Sequence, residues 1–140
     1  MGVQRFNHVG HCVADLARAR RFYEEALGFQ HDRDLEVEGE MPARLLRLPT
    51  PLKLQAVYLV REGFTLELLH YPQPGTAATR DRVMNEPGLT HLSLSVDDMP
   101  ATLAQVRALG GQVLEDTDLG GAAVFIKDPD GQLIELLTQQ

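Results

Sequence analysis

The chain has 140 residues, a length that suits one domain or two very small units sharing a core. Its formal net charge of −7 argues against electrostatic binding to nucleic acid or to an anionic membrane surface, and we expect neither partner. The only cysteine, Cys12, excludes an internal disulfide and fits a reducing cytoplasm, the expected location. The N-terminal segment lacks a signal-peptide core, and no apolar run approaches membrane-spanning length.

The N-terminal quarter predicts a strand, a helix and a second strand. Residues 5–13 alternate in polarity as a half-buried strand does, and Asp15 then supplies a helix N-cap. The helix carries its apolar residues on one stripe and ends at Gly28. Residues 29–37 predict the next strand.

An insertion and a hairpin follow. Within residues 38–51, Pro42 stands near the start of a short predicted helix that ends before Pro49. Residues 52–60 and 64–71 then predict two strands joined by a tight turn. A polar, Pro- and Gly-containing linker of about residues 72–88 separates this half of the chain from the next.

The second half predicts the same order of elements. Asp98 caps the helix, Pro100 is tolerated in its first turn, and Gly110 and Gly111 end it. The segment from Asp128 to Gly131 has the composition of a type I turn. The predicted strands are 89–96, 112–118, 122–128 and 132–138.

The two halves therefore form a repeat. Each contains a histidine in its first strand, an aspartate seven residues later, Ala-Leu-Gly at the helix end and a glutamate in its last strand. The fold class predicted is α+β, with two tandem βαβββ modules in a single domain of residues 1–140. Module one spans about 1–72 and module two about 88–140. The matched residues are His8 with His91, Asp15 with Asp98, and Glu67 with Glu135.

The repeated histidines and glutamates all point away from the face expected to pack on the helix, because side chains alternate along a strand. Both glutamates are flanked by leucines, where a lone carboxylate is costly unless it is paired or bound to a cation. Small neighbours such as Gly10 and Ser93 would leave open space beside the histidines. Two imidazoles and two carboxylates suit a divalent metal ion, namely Zn, Ni, Co, Mn or Fe. The alternative is a set of solvated or hydrogen-bonded polar residues on an open sheet face.

Four segments resemble the vicinal oxygen chelate superfamily, which includes glyoxalase I, methylmalonyl-CoA epimerase, extradiol dioxygenases and the fosfomycin and bleomycin resistance proteins. They are NHVGHCVADL, FTLELLHY, THLSLSVDDM and DPDGQLIELL. The resemblance implies that the two modules form a half-barrel, glyoxalase-like metal-binding cavity. It also implies the metal ligands His8, Glu67, His91 and Glu135, and a homodimer with its cavity either within one chain or across the interface.

The complete ligand set is most similar to that of glyoxalase I. It implies an isomerase, epimerase or lyase that removes a proton next to a metal-chelated carbonyl of a small molecule with adjacent oxygens. Glu67 and Glu135 are the acid and base candidates. One alternative is an Fe(II) extradiol-type dioxygenase that uses His8, His91 and Glu135. The other is a non-catalytic small-molecule binding or resistance protein.

Other polar residues have weaker claims to function. Glu38 or Glu40 could supply a separate base, although an exposed charged loop explains both. Cys12 fits a small strand filler better than a nucleophile, because no partner base is identifiable. Three further histidines suit packing or surface positions, and two arginines of the insertion could meet an anionic substrate or solvent. These residues are His11, His31, His70, Arg44 and Arg47.

Overall fold

A computed structural model describes residues 2–138. These residues form two compact units, each built around one four-stranded sheet. The first unit contains the residues up to Arg20 together with Gly28–Ala77, and the second contains Arg21–Leu27 together with the residues from Ala78 onward. In each sheet the first and last strands of the unit pair in parallel, and the other neighbours are antiparallel.

The sheet of the first unit has the strand order β1-β4-β3-β2. Strand β1 is shorter than the predicted strand 5–13 and begins immediately after His8. The insertion forms the short helix α2, as predicted, and Arg47 ends that helix in the left-handed conformation with φ of 55°. The elements are β1 (Val9–Cys12), α1 (Leu16–Arg21), β2 (Gln30–Glu38), α2 (Glu40–Leu46), β3 (Lys53–Arg61) and β4 (Phe64–Gln73).

The first helix is not one regular α-helix. The backbone N–H of Arg18 donates to the Asp15 carboxylate at 3.0 Å, which confirms the predicted cap. After α1 the chain continues as a π-helical turn over Phe22–Ala26, and Gly28 (φ of 74°) then ends the helical segment. Residues 21–27 belong to module one in the sequence, but they pack within the second unit.

The sheet of the second unit has the strand order β5-β8-β7-β6. The Asp98 carboxylate accepts from the backbone N–H of Ala101 at 3.0 Å, so this predicted cap is also confirmed. The predicted strand 112–118 is too long, because a 3₁₀ turn at Glu115–Thr117 follows β6. The elements are β5 (His91–Ser95), α3 (Met99–Ala108), β6 (Gln112–Leu114), β7 (Ala123–Lys127) and β8 (Leu133–Leu137).

The last strand of each unit alternates between core leucines and a glutamate. Leu66 and Leu68 of β4 are fully buried, and Leu136 of β8 is buried in the same way. Glu67 and Glu135 therefore point to the opposite sheet face from these core residues. The order of elements and the two sheets confirm the predicted α+β fold of two βαβββ modules. Among residues 2–138, no helix has the length and apolar character needed to cross a membrane.

Candidate functional site

The first unit brings His8 together with Glu67, and we call these two residues the first pair. Nε2 of His8 lies 3.1 Å from Oε1 of Glu67. The parallel register of β1 and β4 sets Gly10 beside Glu67, which places His8 next to the same carboxylate. The Glu67 side chain is only 9% exposed, whereas that of His8 is 36% exposed. The carboxylate is thus desolvated while the imidazole still reaches solvent.

Tyr58 completes the surroundings of the first pair. It lies directly opposite Glu67 in the antiparallel register of β3 and β4, and its ring meets His8 edge-on with centroids 5.5 Å apart. Burial raises the pKa of Tyr58, and a hydrogen bond from its hydroxyl to the Glu67 carboxylate raises the pKa further. The Arg33 guanidinium, whose Cζ lies 4.0 Å from the Tyr58 ring centroid, has the opposite effect on that pKa.

The second unit brings His91 together with Glu135, the second pair. Nε2 of His91 lies 3.9 Å from Oε1 of Glu135, and the Glu135 side chain is 29% exposed. The hydroxyl of Ser93 donates to the same Oε1 at 2.8 Å. Oγ1 of Thr90 and Nδ1 of His91 lie 2.7 Å apart, so this contact fixes the ring and leaves Nε2 toward the carboxylate. Phe125 stands opposite Glu135 and contacts the His91 ring edge-on at 5.2 Å.

Both pairs have the chemistry of metal ligands, and the first pair also has their spacing. Two nitrogen or oxygen ligands that each lie about 2.1 Å from one ion are roughly 3 to 3.5 Å apart. The 3.1 Å separation of His8 and Glu67 falls in that range. The 3.9 Å separation of His91 and Glu135 is slightly wider than that range. Each unit therefore offers one imidazole and one carboxylate that fit a divalent cation.

A polar cleft of about 480 Å³ opens beside the first pair. Its lining combines His8 and Tyr58 with two arginines and Asp32, so it can accept a polar small molecule. The residues lining this cleft are Arg5, Phe6, Asn7, His8, Asp32, Arg33, Tyr58 and Thr65.

The weaker candidates lie elsewhere. Glu38 ends β2 and Glu40 begins α2, and both are exposed. Cys12 is an exposed cysteine on β1. Nε2 of His31 lies 2.7 Å from Asp34 Oδ1. The other residues named from the sequence are also placed: His11 and His70 are half-buried, and Arg44 and Arg47 are exposed.

The aromatic residue beside each pair is not among the candidates predicted from the sequence, although a further matching stretch of the repeat contains it. Ala-Val-Tyr-Leu-Val at 56–60 matches Ala-Val-Phe-Ile-Lys at 123–127, which extends the repeat to β3 and β7. Tyr58 and Phe125 are thus equivalent, and each faces the glutamate of its own unit.

Comparison with known proteins decides the family. The model of the Glyoxalase/Bleomycin resistance protein/Dioxygenase superfamily matches residues 5–136, almost the whole chain. The chain belongs to this superfamily. The resemblance inferred from the four sequence segments is therefore confirmed.

Individual members of the superfamily agree with this assignment. A lactoylglutathione lyase of Haemophilus influenzae is 31% identical over 137 residues, which cover 89% of this chain and 85% of the relative. A glyoxalase family protein of Bacillus cereus has a TM-score of 0.81 at 22% identity, covering 97% of this chain and 94% of that chain. The trypanothione-dependent glyoxalase I of Leishmania major has a TM-score of 0.69 at 26% identity, covering 96% and 86% respectively.

Proposed function

We propose that this superfamily member is a metal-dependent lyase or isomerase of the glyoxalase I type. The observation that carries the proposal is the duplicated pair, with one histidine and one glutamate close together in each unit. The similarity to a lactoylglutathione lyase supports a thioester of a 2-hydroxy acid as the first compound to test. We also propose that the protein is a homodimer, that its modules form one domain and that it works in the cytoplasm.

His8, Glu67, His91 and Glu135 are the proposed ligands of a divalent ion, which would be Zn, Ni, Co, Mn or Fe. When bound, such an ion supplies Lewis-acid polarisation of a carbonyl oxygen. The two pairs that share an ion could come from one chain or from the two chains of a homodimer. The proposed substrate presents two adjacent oxygens, because these would complete the coordination that the four side chains begin.

Glu135 is the proposed general base. Its side chain is more exposed than that of Glu67, and it is hydrogen-bonded to the exposed Ser93. A carboxylate in this setting can move the short distance needed to take a proton from the carbon next to the substrate carbonyl. Returning the proton to the neighbouring carbon or to the opposite face gives isomerisation or epimerisation. Glu67, buried beside His8, is proposed as the second acid–base candidate and mainly as a ligand.

Metal analysis combined with solvent isotope exchange tests this proposal. The purified protein, loaded in turn with Zn²⁺, Ni²⁺ and Co²⁺, is incubated with S-lactoylglutathione in D₂O. We expect bound metal and deuterium at C2 of the lactoyl group, detected by mass spectrometry. His8→Ala and His91→Ala should each lose both signals, because each substitution removes an imidazole ligand.

His31→Ala is the matched control, because His31 is a first-unit histidine that pairs with Asp34 instead of a glutamate of either pair. It should behave as the unsubstituted protein does. Failure to bind any of Zn²⁺, Ni²⁺, Co²⁺, Mn²⁺ and Fe²⁺, or metal binding unaffected by both His8→Ala and His91→Ala, would overturn the proposal. Oxygen uptake on catechols by the Fe²⁺ form, without deuterium exchange, would favour the ring-cleaving dioxygenase instead.

A further inference from the structure

Glu67 is a carboxylate in a nearly closed environment. Its side chain is 9% exposed, and it lies between the core residues Leu66 and Leu68 on β4. A charged group in such a place is stable only when hydrogen-bond donors or cations compensate for the lost water. On its sheet face, Nε2 of His8 lies 3.1 Å from it, and the Tyr58 hydroxyl is a hydrogen-bond partner of it. The orientation of the carboxylate therefore depends on these two partners.

The Tyr58 ring is itself fixed from two directions. Arg33 stacks over its face with Cζ 4.0 Å from the ring centroid, and His8 meets its edge with centroids 5.5 Å apart. Tyr58 is only 5% exposed, so the ring has little freedom to turn away. A hydroxyl carried on a fixed ring is a preorganised hydrogen-bond donor, which costs less entropy than a mobile donor would.

The equivalent ring in the second unit has no hydroxyl. Phe125 occupies the same position opposite Glu135 and makes the same edge contact with its histidine. The βαβββ unit thus accepts a phenyl ring there. The hydroxyl of Tyr58 is an addition specific to the first unit, and its partner is the Glu67 carboxylate.

We infer that Tyr58 is a positioning residue, which holds the Glu67 carboxylate toward His8 so that the first pair is set for a divalent cation before the cation arrives. The inference rests on the proposed function, because it assigns a role around a ligand of that site. It adds Tyr58, and through the ring contact Arg33, to the residues that determine metal affinity. Outer-shell hydrogen bonds of this kind orient the ligand and set its basicity.

Tyr58→Phe tests the inference, with Co²⁺ as the probe. Affinity is measured by competition with a chromophoric chelator, and the ligand geometry is followed through the visible d–d absorption of the Co²⁺ protein. We expect about 10- to 100-fold weaker Co²⁺ binding and an altered absorption spectrum. Tyr23→Phe is the matched control, because it removes the hydroxyl of another buried tyrosine, one that donates to Asp128 in the second unit at 2.8 Å. It should leave both measurements nearly unchanged.

A second variant is included in case Tyr58→Phe impairs folding. Thermal unfolding of each protein measures whether it does. Arg33→Ala leaves Tyr58 in place but removes the guanidinium that stacks on its ring and contacts its hydroxyl. The Arg33 side chain is 59% exposed, so the fold should tolerate the substitution. We expect about a 2- to 5-fold loss of Co²⁺ affinity for Arg33→Ala.

Wild-type affinity and an unchanged spectrum in folded Tyr58→Phe would overturn the inference; if Tyr58→Phe does not fold, wild-type affinity in Arg33→Ala would do so. The His8→Ala variant distinguishes a failure of the inference on Tyr58 from a failure of the proposed function. Loss of Co²⁺ binding in His8→Ala with normal binding in Tyr58→Phe leaves the proposed function standing. An unsubstituted protein that binds none of Zn²⁺, Ni²⁺, Co²⁺, Mn²⁺ and Fe²⁺ overturns both.

Discussion

The first and second pairs contain the same residue types but differ in how the glutamate is surrounded. In the first pair the carboxylate is 9% exposed and 3.1 Å from its histidine, whereas in the second it is 29% exposed and 3.9 Å away. The duplicated modules have thus diverged around the proposed metal ligands. A buried, doubly contacted carboxylate suits a permanent ligand, and a partly solvated one suits a group that must move.

Two substitutions between the modules account for the difference. Opposite the glutamate, the first unit has Tyr58 and the second has Phe125. On the adjoining parallel strand, the first unit has Gly10 and the second has Ser93. A Cβ at Gly10 would lie 3.2 Å from a methyl group of Leu69, so a serine there would crowd that side chain. The hydrogen bond to the carboxylate therefore comes from a buried phenol in one unit and from an exposed serine in the other.

The largest expected effect comes from removing each carboxylate charge in turn. We expect Glu135→Gln to lower kcat by roughly 10²- to 10⁴-fold, because it removes the proposed base. Glu67→Gln keeps an oxygen that can still ligate, so we expect kcat of the metal-saturated protein to fall less than about 10-fold, with most of the loss in metal affinity. Steady-state kinetics at saturating metal, with Kd from chelator competition, measures both.

Equal losses of kcat in the two glutamine variants would remove the functional distinction between the pairs. A larger loss in Glu67→Gln would reverse the proposed roles. Glu25→Gln is a suitable control, because Glu25 is an exposed residue that pairs with Arg21.

A smaller effect is expected where the units differ in how their last strand begins. Strand β4 follows a short turn at Glu62 and Gly63, both with positive φ. Strand β8 follows a turn in which buried Asp128 accepts hydrogen bonds from Tyr23 at 2.8 Å and from two backbone N–H groups. We expect Tyr23→Phe to lower the free energy of unfolding by about 1.5 to 3 kcal/mol at pH 7, measured by urea denaturation.

The same contact predicts a dependence on alkaline pH. Burial raises the pKa of Tyr23 well above 10, and the Asp128 charge and hydrogen bond raise it further. The neutral phenol is thus favoured in the folded state, so its contribution is complete below the unfolded pKa of about 10 and is lost as pH rises through the folded pKa. Stability should therefore fall less steeply above pH 10 in Tyr23→Phe. Parallel curves for the two proteins would contradict this account.

Regular elements and the two pairs could be predicted from the sequence, because period-two alternation decides which strand residues share a face. Glu67 between leucines was sufficient to indicate the correct face, and Asp98 was sufficient to mark a helix start. Strand 112–118 was predicted too long, because Thr117 turns its hydroxyl to the Leu114 carbonyl and accepts from Phe125. The contact with Phe125 joins residues eight positions apart, so the sequence of the segment itself does not indicate it.

The remaining misses depend on neighbours that are distant in sequence. The apolar stripe that carries Phe22 and Tyr23 predicted a helix, but a stripe does not show that residues 21–27 pack within the second unit. Tyr58 looked like one more apolar strand residue, because its contact with Glu67 depends on the register of β3 and β4. The repeat itself, extended to Tyr58 and Phe125, was the one local clue.

The smallest expected effect comes from removing the hydrogen bond that the glutamate of the second pair accepts. Ser93→Ala deletes the donor to Glu135, but water can replace an exposed hydroxyl. We therefore expect only about a 2- to 5-fold loss of Co²⁺ affinity, well below the loss expected for Tyr58→Phe. Ser95→Ala, an exposed serine two residues further along β5, is the control. A loss in Ser93→Ala that equals the loss in Tyr58→Phe would mean that exposure does not separate the two pairs, and that both glutamates are oriented equally strongly.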